Sequence, residues 1–298
     1  MLDITVVILT YNEQLHISRC LENIQLLAKK IYVIDCYSTD DTATIARQYG
    51  AEVFLHAWPG NQADQLNWAL DTLPFETSWV LRMDADEYLT QDLIAEIEQK
   101  VPELNQDISA IVLPLKRVFM GRHIKHGTGA ISMIRLFRHG TTRCERRWMD
   151  EHMLVEFGCT ITFENPFVDD NLNTIGYFTA KHNGYSIREA VELLDIELNI
   201  LPKNQKMGAL CPEVTEKRAK KAKYAKMPLF WRPFVYFGLR YFVRGGFLDG
   251  KEGFLWHFLQ GWWYRTLVDA KIYEIKKACG KDREAIKRYL KEKYQIVL

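Results

Sequence analysis

The sequence has few of the features that mark a secreted, membrane-spanning or nucleic-acid-binding protein. Its six cysteines form no CxxC pair and no compact spacing, which disfavours a disulfide framework or a zinc site and predicts reduced thiols in a cytosolic setting. It has no stretch of about 20 apolar residues, so a spanning helix is not expected. No basic segment precedes the first short apolar run, so a signal peptide is not expected. A formal net charge of +1 gives no overall attraction to nucleic acid.

Two glycine-rich phosphate-binding loops are also missing. GxGxxG does not follow the first apolar run, and GxxxxGK[ST] occurs nowhere in the chain. The backbone amides of such loops cradle the phosphates in many nucleotide-binding proteins. If this chain binds a nucleotide, a metal ion must therefore neutralise the phosphates.

What the chain does have is a regular alternation of strand and helix patterns. Apolar, β-branched runs at residues 4–9, 31–34, 53–55 and from 79 onward are separated by helical patterns at 17–27, 43–49 and 61–73. This alternation predicts βαβ units, and hence an α/β fold with a mainly parallel sheet. Because such crossovers are right-handed, polar residues at the strand ends are expected to gather along one edge.

Asp84 and Asp86 follow the apolar run that starts at Trp79. Side chains two residues apart in an extended segment point to the same face, so both carboxylates are predicted to project from a strand's carboxyl end. Open α/β sheets bind their ligands at such ends. Hard oxygen ligands suit Mg²⁺ or Mn²⁺, which complete their coordination with water and substrate phosphates. The alternative is an ordinary turn in which an aspartate caps a helix that starts near Gln91.

The ends of the first two strands carry groups suited to a nucleoside. Tyr11 offers an aromatic face for a base, while Asp35 and Asp40 offer acceptors for a base N–H or for ribose hydroxyls. The alternative assigns Ser38, Thr39 and Asp40 to helix capping, and Ser38 or Thr39 can serve both roles.

Three segments at these strand ends resemble the successive signatures of family 2 glycosyltransferases: ITVVILTYNE at 4–13, VIDCYSTDDT at 33–42 and RMDADE at 82–87. The resemblance covers roughly residues 3–190. It implies the GT-A fold, a nucleotide-diphosphate sugar donor, Mg²⁺ or Mn²⁺, and inversion at the anomeric carbon. The implied metal ligands are Asp86 and Asp84, and the implied nucleotide site comprises Thr10, Tyr11, Glu13, Asp35, Ser38, Asp40, Gln65 and Asp84. One departure is Cys36, where the family often has a second acidic residue.

Inverting transfer needs a carboxylate that takes the proton of the acceptor hydroxyl. In family 2 enzymes this base lies in an acidic motif well after Asp-x-Asp, and Asp150 and Glu151 fit in position and type. Some subfamilies have His-Glu there, which aligns with Glu151 and favours it as the base. The alternative is a surface acidic pair that balances Arg146 and Arg147.

Further candidates for contacts to the acceptor or the diphosphate are Arg135, Arg138, Trp148 and His126. Residues 116–127 are predicted as a basic loop that binds a phosphate-bearing group, or as a solvated surface loop. Trp148 is expected either to stack on a sugar or to pack in the core. GT-A enzymes frequently use a late histidine as a metal or diphosphate ligand, which points to His182 just before a helix; the alternative is a structural histidine.

The composition changes near residue 200, which predicts a GT-A catalytic domain at 1–200 and a helical extension at 201–298. Aromatic residues in the extension alternate with Arg232, Arg240 and Arg244, as in helices that lie in a membrane interface. The alternative is packing as core or on a second subunit, and a homodimer is left open. A nucleic-acid partner fits this segment poorly, because its aromatic rings cluster with aliphatic residues and do not lie along a basic groove. The run RPF…YFVRGGFLDG at 232–250, with residues 119–127, resembles the lipopolysaccharide core β-glucosyltransferase subgroup.

The strand-end residues and the family resemblance together imply a metal-dependent, inverting transferase that moves a hexose from a UDP-sugar. The resemblance to the subgroup implies as acceptor a bacterial glycan or glycolipid of lipopolysaccharide, capsule or exopolysaccharide, met by a peripheral protein on the cytoplasmic face of the inner membrane. One alternative is a nucleotidylyltransferase that makes a sugar nucleotide, which the missing glycine-rich loop disfavours. The other is a non-catalytic membrane-associated scaffold with the same fold.

Overall fold

The computed structural model describes residues 1–149, 151–201 and 212–298, the last range with side chains from residue 219 onward. Its strands are β1 (Leu2–Thr10), β2 (Ala28–Asp35), β3 (Glu52–Leu55), β4 (Trp79–Asp84), β5 (Glu87–Leu89), β6 (Ile108–Phe119), β7 (Arg122–His123), β8 (Ser132–Arg138), β9 (Thr142–Cys144), β10 (Met153–Val155), β11 (Cys159–Thr162) and β12 (Phe167–Asp170). Its α-helices are α1 (Ile17–Ile24), α2 (Thr42–Gln48), α3 (Gln62–Thr72), α4 (Gln91–Lys100), α5 (Ile175–Leu198), α6 (Pro212–Ala225), α7 (Trp231–Gly238), α8 (Gly250–Trp256), α9 (Tyr264–Cys279) and α10 (Arg283–Tyr294). Short 3₁₀ turns span Val101–Glu103 and Gly246–Asp249, and π-helical segments span Leu239–Val243 and His257–Trp263.

The alternating first hundred residues fold into the predicted parallel sheet. The strand order is β3-β2-β1-β4-β8-β6-β12-β5, with β7 and β11 added on β6. Strands β3, β2, β1 and β4 run parallel, β8 is antiparallel to both of its neighbours, and β5 is antiparallel to β12. The strands β9 and β10 pair separately. The fold is therefore α/β, with a curled sheet that is parallel where the three signature segments lie.

The register brings the signature strand ends to one edge. Thr10 at the end of β1 pairs with Asp35 at the end of β2, and Leu9 pairs with Asp84 at the end of β4. Strand β1 is buried on both faces: Ile4, Val6 and Ile8 belong to the core under α1 and α4, whereas Val7 belongs to the core under α3. This burial explains why β1 is a continuous apolar run, and it anchors the polar residues that follow.

The second half of the sheet differs in detail from the prediction. Residues 116–127 do not form one loop, because β6 continues to Phe119 and turns back as β7 through Met120 and Gly121 at positive φ. Helix α5 begins at Ile175, well before the expected start after His182. The hydroxyl of Thr174 accepts a hydrogen bond from the Tyr177 amide and so caps the helix there.

The C-terminal helices pack on α5 as a core of their own. Ile187, Val191 and Leu194 of α5 are buried against Val268 and Ile272 of α9, and α10 completes the cluster with Ile286 and Leu290. Helix α5, placed by the sequence in the catalytic unit, therefore joins the two parts, and the division at residue 200 stays a prediction. Among the helices that the structure describes, none is long and apolar enough to cross a membrane.

Candidate active site at the carboxyl edge of the sheet

The carboxylate of Asp35 ties the ends of β1 and β2 together. It is buried, and it accepts hydrogen bonds from the Thr10 hydroxyl at 2.9 Å, from the Ser38 amide at 2.8 Å and from the Ser38 hydroxyl at 2.5 Å. Three of the predicted nucleotide-binding residues are thus brought into one network. With its oxygens engaged in this way, Asp35 holds the loop that follows β2 in a single shape.

The loops after β1 and β2 interlock above that network. Asn12 lies in the left-handed region (φ 56°), where its carbonyl oxygen Oδ1 accepts from the Thr39 amide at 2.8 Å. Asp40 accepts from the Thr42 amide at 3.0 Å, at the start of α2, and from the Gln14 amide. Burial raises the pKa of Asp40, but these hydrogen bonds outweigh it and hold the pKa below its ordinary value. Asp40 thus binds backbone amides at the start of α2 and after β1, and its role in nucleotide binding stays a prediction.

Two tyrosine rings project from these interlocked loops. Tyr11 is 57% exposed and Tyr37, at φ 59°, is 58% exposed, so both offer a free aromatic face next to the buried network. The carboxylate of Glu13 accepts a hydrogen bond from His16 Nδ1 at 2.7 Å. Gln65 is buried; its side chain bonds to His56 and Cys36, so it supports the β2 and β3 ends from beneath.

Asp84 lies among arginines at the end of β4. Its carboxylate is 3.3 Å from Arg135 and 3.7 Å from Arg82, while its amide donates to Glu87 at 2.9 Å. Arg135 also forms a buried ion pair with Glu87. Burial raises the pKa of Asp84, but the positive charges, first that of Arg135, outweigh it and hold the pKa below its usual range. Arg135, predicted as a ligand of acceptor or diphosphate, here positions Asp84.

Asp86 faces a second set of charged residues, of which only Arg117, in the predicted basic loop, was expected from the sequence. Its Oδ2 accepts from the Asn171 amide at 2.8 Å. Just before Asn171, at the end of β12, Asp169 pairs with Arg117 at 3.1 Å and Asp170 pairs with Arg19 at 2.7 Å. Burial, together with the nearby charges of Asp86 and Asp84, raises the pKa of Asp169. The signal was available: 167–171 is an apolar pair followed by two aspartates and an asparagine, the same type of strand end as Asp84-Ala-Asp86.

A cavity of about 700 Å³ opens beside Asp86. The sheet side contributes Asp86, Arg117 and Asp169, helix α5 contributes Lys181 and Tyr185, and Trp256 of α8 closes the far wall. Carboxylates, cations and aromatic rings thus line one space large enough for a sugar with a phosphate group.

Lys181 and His182 both line this cavity, but their surroundings shift their pKa values in opposite directions. His182 Nδ1 donates to the Phe178 carbonyl at 2.7 Å, so Nε2 accepts from the Gln260 amide at 2.5 Å. Burial first, then the charges of Lys181 and Arg117, lowers the pKa of His182. Burial also acts to lower the pKa of Lys181, but Tyr185 and Asp86 outweigh it and raise that pKa above its ordinary value. Both ring nitrogens of His182 are therefore engaged, and its role as a ligand stays a prediction.

The predicted catalytic segment lies between β9 and α5. Asp150 lies outside the described residues. The segment before it is held on α5, because Glu192 accepts from the Met149 amide at 3.0 Å and pairs with Arg147 at 3.3 Å. Burial first, with the charge of Glu151 adding to it and those of Arg82 and Arg135 opposing it, raises the pKa of Cys144 to about 11. Glu151 is half-buried between β9 and β10, and its role as the base stays a prediction.

The structure does not bring three further candidates to the carboxylates. Arg138 pairs across the sheet with Trp79, at the amino end of β4, and donates to the Ile108 carbonyl at 2.8 Å. His126 pairs with Asp249 of the C-terminal region at 2.7 Å. Trp148 is partly buried against the core of α5 and α9. The strand direction of β8, which is antiparallel, places Arg138 at the opposite edge of the sheet from Asp84.

The residues at this edge fit a divalent ion whose remaining ligands come from water and substrate. Among the described residues, no cluster of three or more His, Cys, Asp or Glu side chains is arranged to hold a metal. Mg²⁺ usually takes one or two carboxylates and draws its remaining ligands from water and substrate phosphates. Asp86 supplies such a carboxylate, because its Oδ1 accepts no hydrogen bond from the described residues and its side chain lines the cavity. Asp84, with its pKa held down, is the second candidate ligand.

A parallel α/β sheet with nucleoside-type loops after its first two strands and a carboxylate pair after β4 defines a GT-A glycosyltransferase fold. The chain matches the family described as Glycosyl transferase family 2 over residues 5–167. That stretch is more than half of the 298 residues, so this chain belongs to glycosyl transferase family 2.

Known proteins agree with this assignment. An uncharacterized glycosyltransferase of Rickettsia felis is 36% identical over 104 residues, which are 35% of this chain and 36% of the relative. One from Rickettsia typhi is 38% identical over 104 residues, 35% of each chain. The matches thus span about a third of the length of these relatives. The mannosyltransferase PcManGT from Pyrobaculum calidifontis, solved with GDP-Man and Mn²⁺, is 17% identical over 91% of this chain and 87% of its own, with a TM-score of 0.50, and shares the fold.

Proposed function

We propose that this chain is an inverting, metal-dependent hexosyltransferase that uses a nucleotide-diphosphate sugar, with UDP as the expected nucleotide. One observation carries the proposal: the three family signatures end at one sheet edge, directly beside a cavity that holds Asp86. The fold neighbour PcManGT, whose structure contains a nucleotide sugar and Mn²⁺, supports the choice of donor class and metal.

In this proposal the interlocked loops after β1 and β2 hold the nucleoside. The exposed ring of Tyr11 covers the base, and the Thr10–Asp35–Ser38 network keeps the loops in place. Asp86 and Asp84 would hold Mg²⁺ or Mn²⁺. When bound, the ion would act as a Lewis acid that lowers the charge on the leaving diphosphate.

The remaining chemistry is a proton transfer at the acceptor. Glu151 would accept the proton of the acceptor hydroxyl as that oxygen attacks the anomeric carbon from the face opposite the leaving group. The bond between the anomeric carbon and the diphosphate oxygen breaks, and the nucleoside diphosphate leaves with the electron pair. The position of Glu151 well after Asp-x-Asp, in a segment that Glu192 holds on α5 through the Met149 amide, supports this choice of base. Asp150 is the alternative base.

Two variants test the assignment of roles. Asp86→Ala should abolish the gain in nucleotide affinity that Mn²⁺ confers in a calorimetric titration, since the ion loses its cavity-facing ligand. Glu151→Gln should keep donor binding but lose transfer, because the amide cannot accept the proton. Full activity in Glu151→Gln would assign the base to Asp150, and unchanged Mn²⁺ dependence in Asp86→Ala would contradict the metal site.

The reaction products separate the glycosyltransferase from its rivals. Incubated with UDP-, GDP- and dTDP-sugars, the protein should release a nucleoside diphosphate. Release of pyrophosphate from a sugar phosphate and a nucleoside triphosphate would support a nucleotidylyltransferase. A folded wild-type protein that neither binds nor turns over any donor would support a non-catalytic scaffold.

We also propose that the acceptor is a bacterial glycolipid or glycan of lipopolysaccharide, capsule or exopolysaccharide, met at the cytoplasmic face of the inner membrane. The support is an exposed apolar face on the C-terminal helices, formed by Trp231, Phe234, Phe242, Val243, Phe247, Leu248 and Phe254. Exposures of 67% for Trp231, 64% for Phe242 and 76% for Val243 leave large side chains in water. Arg244 and Lys251 are exposed within the same stretch of chain, as in helices that lie on anionic membranes.

Co-sedimentation with vesicles that contain anionic lipid tests this face. Trp231→Ser combined with Phe242→Ser should weaken binding, whereas Leu26→Ser, at a residue that is 80% exposed on the loop after α1, should not. Equal binding by all three proteins would reject the membrane contact. A stable dimer that is lost only in the double variant would assign the face to a second copy of the chain.

A further inference from the structure

The cations around the active-site cavity are almost all committed to carboxylates. Arg117 pairs with Asp169 at 3.1 Å, and Arg19 pairs with Asp170 at 2.7 Å. Arg135, behind the cavity wall, is shared by Asp84 and Glu87. These arginines are therefore used to position the acidic groups of the site, and each would have to break an ion pair to bind an incoming anion.

Lys181 differs from them. Among the residues that the structure describes, no carboxylate lies within 4.0 Å of its ammonium group. The ammonium lies instead between two rings, 6.0 Å from the ring centre of Tyr177 and 5.9 Å from that of Tyr185. Lys181 lines the same cavity as Asp86, one of the two proposed metal ligands.

This arrangement suits a positive charge that pairs with an anion only when substrate binds. Burial in the cavity removes part of the lysine's hydration, and the two aromatic rings replace it with weak cation–π contacts. A diphosphate oxygen would offer a much stronger, charge-assisted hydrogen bond. The neighbouring His182 cannot serve in the same way while Phe178 and Gln260 engage both of its ring nitrogens.

We propose that Lys181, rather than His182, binds the diphosphate of the sugar donor and stabilises its charge as the bond to the anomeric carbon breaks. The inference rests on the proposed function and adds to it a residue of α5 that binds the leaving group. Because an ammonium group carries its charge without a metal, part of the affinity for a nucleoside diphosphate should survive when divalent ions are removed.

The test compares UDP with uridine in isothermal titration calorimetry, each with Mn²⁺ and each with EDTA. Lys181→Met keeps the apolar stem and removes the charge. It should weaken UDP binding about 10-fold in EDTA, the loss of one hydrogen bond to a charged group, and leave uridine affinity unchanged. Lys181→Arg should recover part of the loss. Lys29→Met is the matched control, because Lys29 is half-exposed at the start of β2, at the opposite end of that strand from Asp35.

The outcomes separate this inference from the proposed function. If the wild-type protein binds UDP and Lys181→Met binds it equally well, the role of Lys181 is refuted and the glycosyltransferase proposal stands. If the variant loses uridine as well as UDP, the lysine acts on the fold of the site and the inference again fails. If the wild-type protein binds no nucleoside diphosphate, including GDP in the same assay, both proposals fail. In donor hydrolysis, Lys181→Met should lower kcat more than it raises KM, since charge on the diphosphate grows in the transition state.

Discussion

Arg135 is expected to be the residue whose loss damages the site most, through electrostatics rather than volume. Its guanidinium is buried on β8, where it pairs with the buried carboxylate of Glu87 and lies 3.3 Å from Asp84. Arg135→Met preserves the length and the apolar stem of the side chain. It leaves the buried carboxyl of Glu87, whose pKa burial already raises, without its cationic partner and beside Asp84.

The magnitude follows from this burial. The side chains of Arg135 and Glu87 are 6% and 5% exposed, so water can replace the lost partner only poorly. Removing one partner of a buried ion pair costs about 3–5 kcal/mol. The exposed pair of Arg143 and Asp71, with side chains 31% and 55% exposed, provides the control, and Arg143→Met should cost less than about 1 kcal/mol.

Urea unfolding followed by tryptophan fluorescence measures both losses. If the orphaned charge is the cause, Arg135→Met combined with Glu87→Gln should lose less stability than Arg135→Met alone. The loss in Arg135→Met should also shrink toward acidic pH, because protonation of Glu87 removes the buried charge. A loss below 1 kcal/mol, or one independent of Glu87 and of pH, would refute this account of the ion pair.

Three further predictions concern other parts of the molecule. Gly127→Ala should destabilise the protein strongly, because the added Cβ would lie 2.5 Å from His257 Cε1; Gly129→Ala, at a similar positive φ but in open space, should cost less in the same urea assay. Burial is the first cause that lowers the pKa of His257, to about 4, so the folded state favours the neutral imidazole. The free energy of unfolding therefore has its full value above about pH 6.5 and decreases as pH falls toward 4, because the unfolded chain takes up the proton first. His257→Asn should therefore show a flatter thermal midpoint over that pH range, and an unchanged slope would contradict the assignment. Asn171→Ala removes the 2.8 Å hydrogen bond to Asp86 and should weaken Mn²⁺-dependent UDP binding about 10-fold in calorimetry without changing the thermal midpoint by more than a few degrees.

The strand ends were the part of the site that could be predicted. Periodicity and buried strand composition depend on residues that are close in sequence. The α/β fold, the starts of α3 and α4 and the placement of Asp35 and Asp84 at the ends of β2 and β4 therefore followed from short segments. The parallel register then brought Thr10, Asp35 and Asp84 to one edge, as the alternation predicted. Arg138 was misplaced because β8 runs antiparallel, a direction that no local pattern in residues 132–138 reveals.

By itself the sequence determined which segments form the nucleotide edge, because strand periodicity and strand-end chemistry are local. Only the tertiary structure decided which charges are free to act. Asp169 and Asp170 come to Asp86 from more than eighty residues away, and Arg135 reaches Glu87 across the sheet. Adjacent residues on a helix point about 100° apart. The start of α5 at Ile175 and its packing on α9 therefore place the Lys181 ammonium near the rings of Tyr177 and Tyr185, while His182 contacts Gln260.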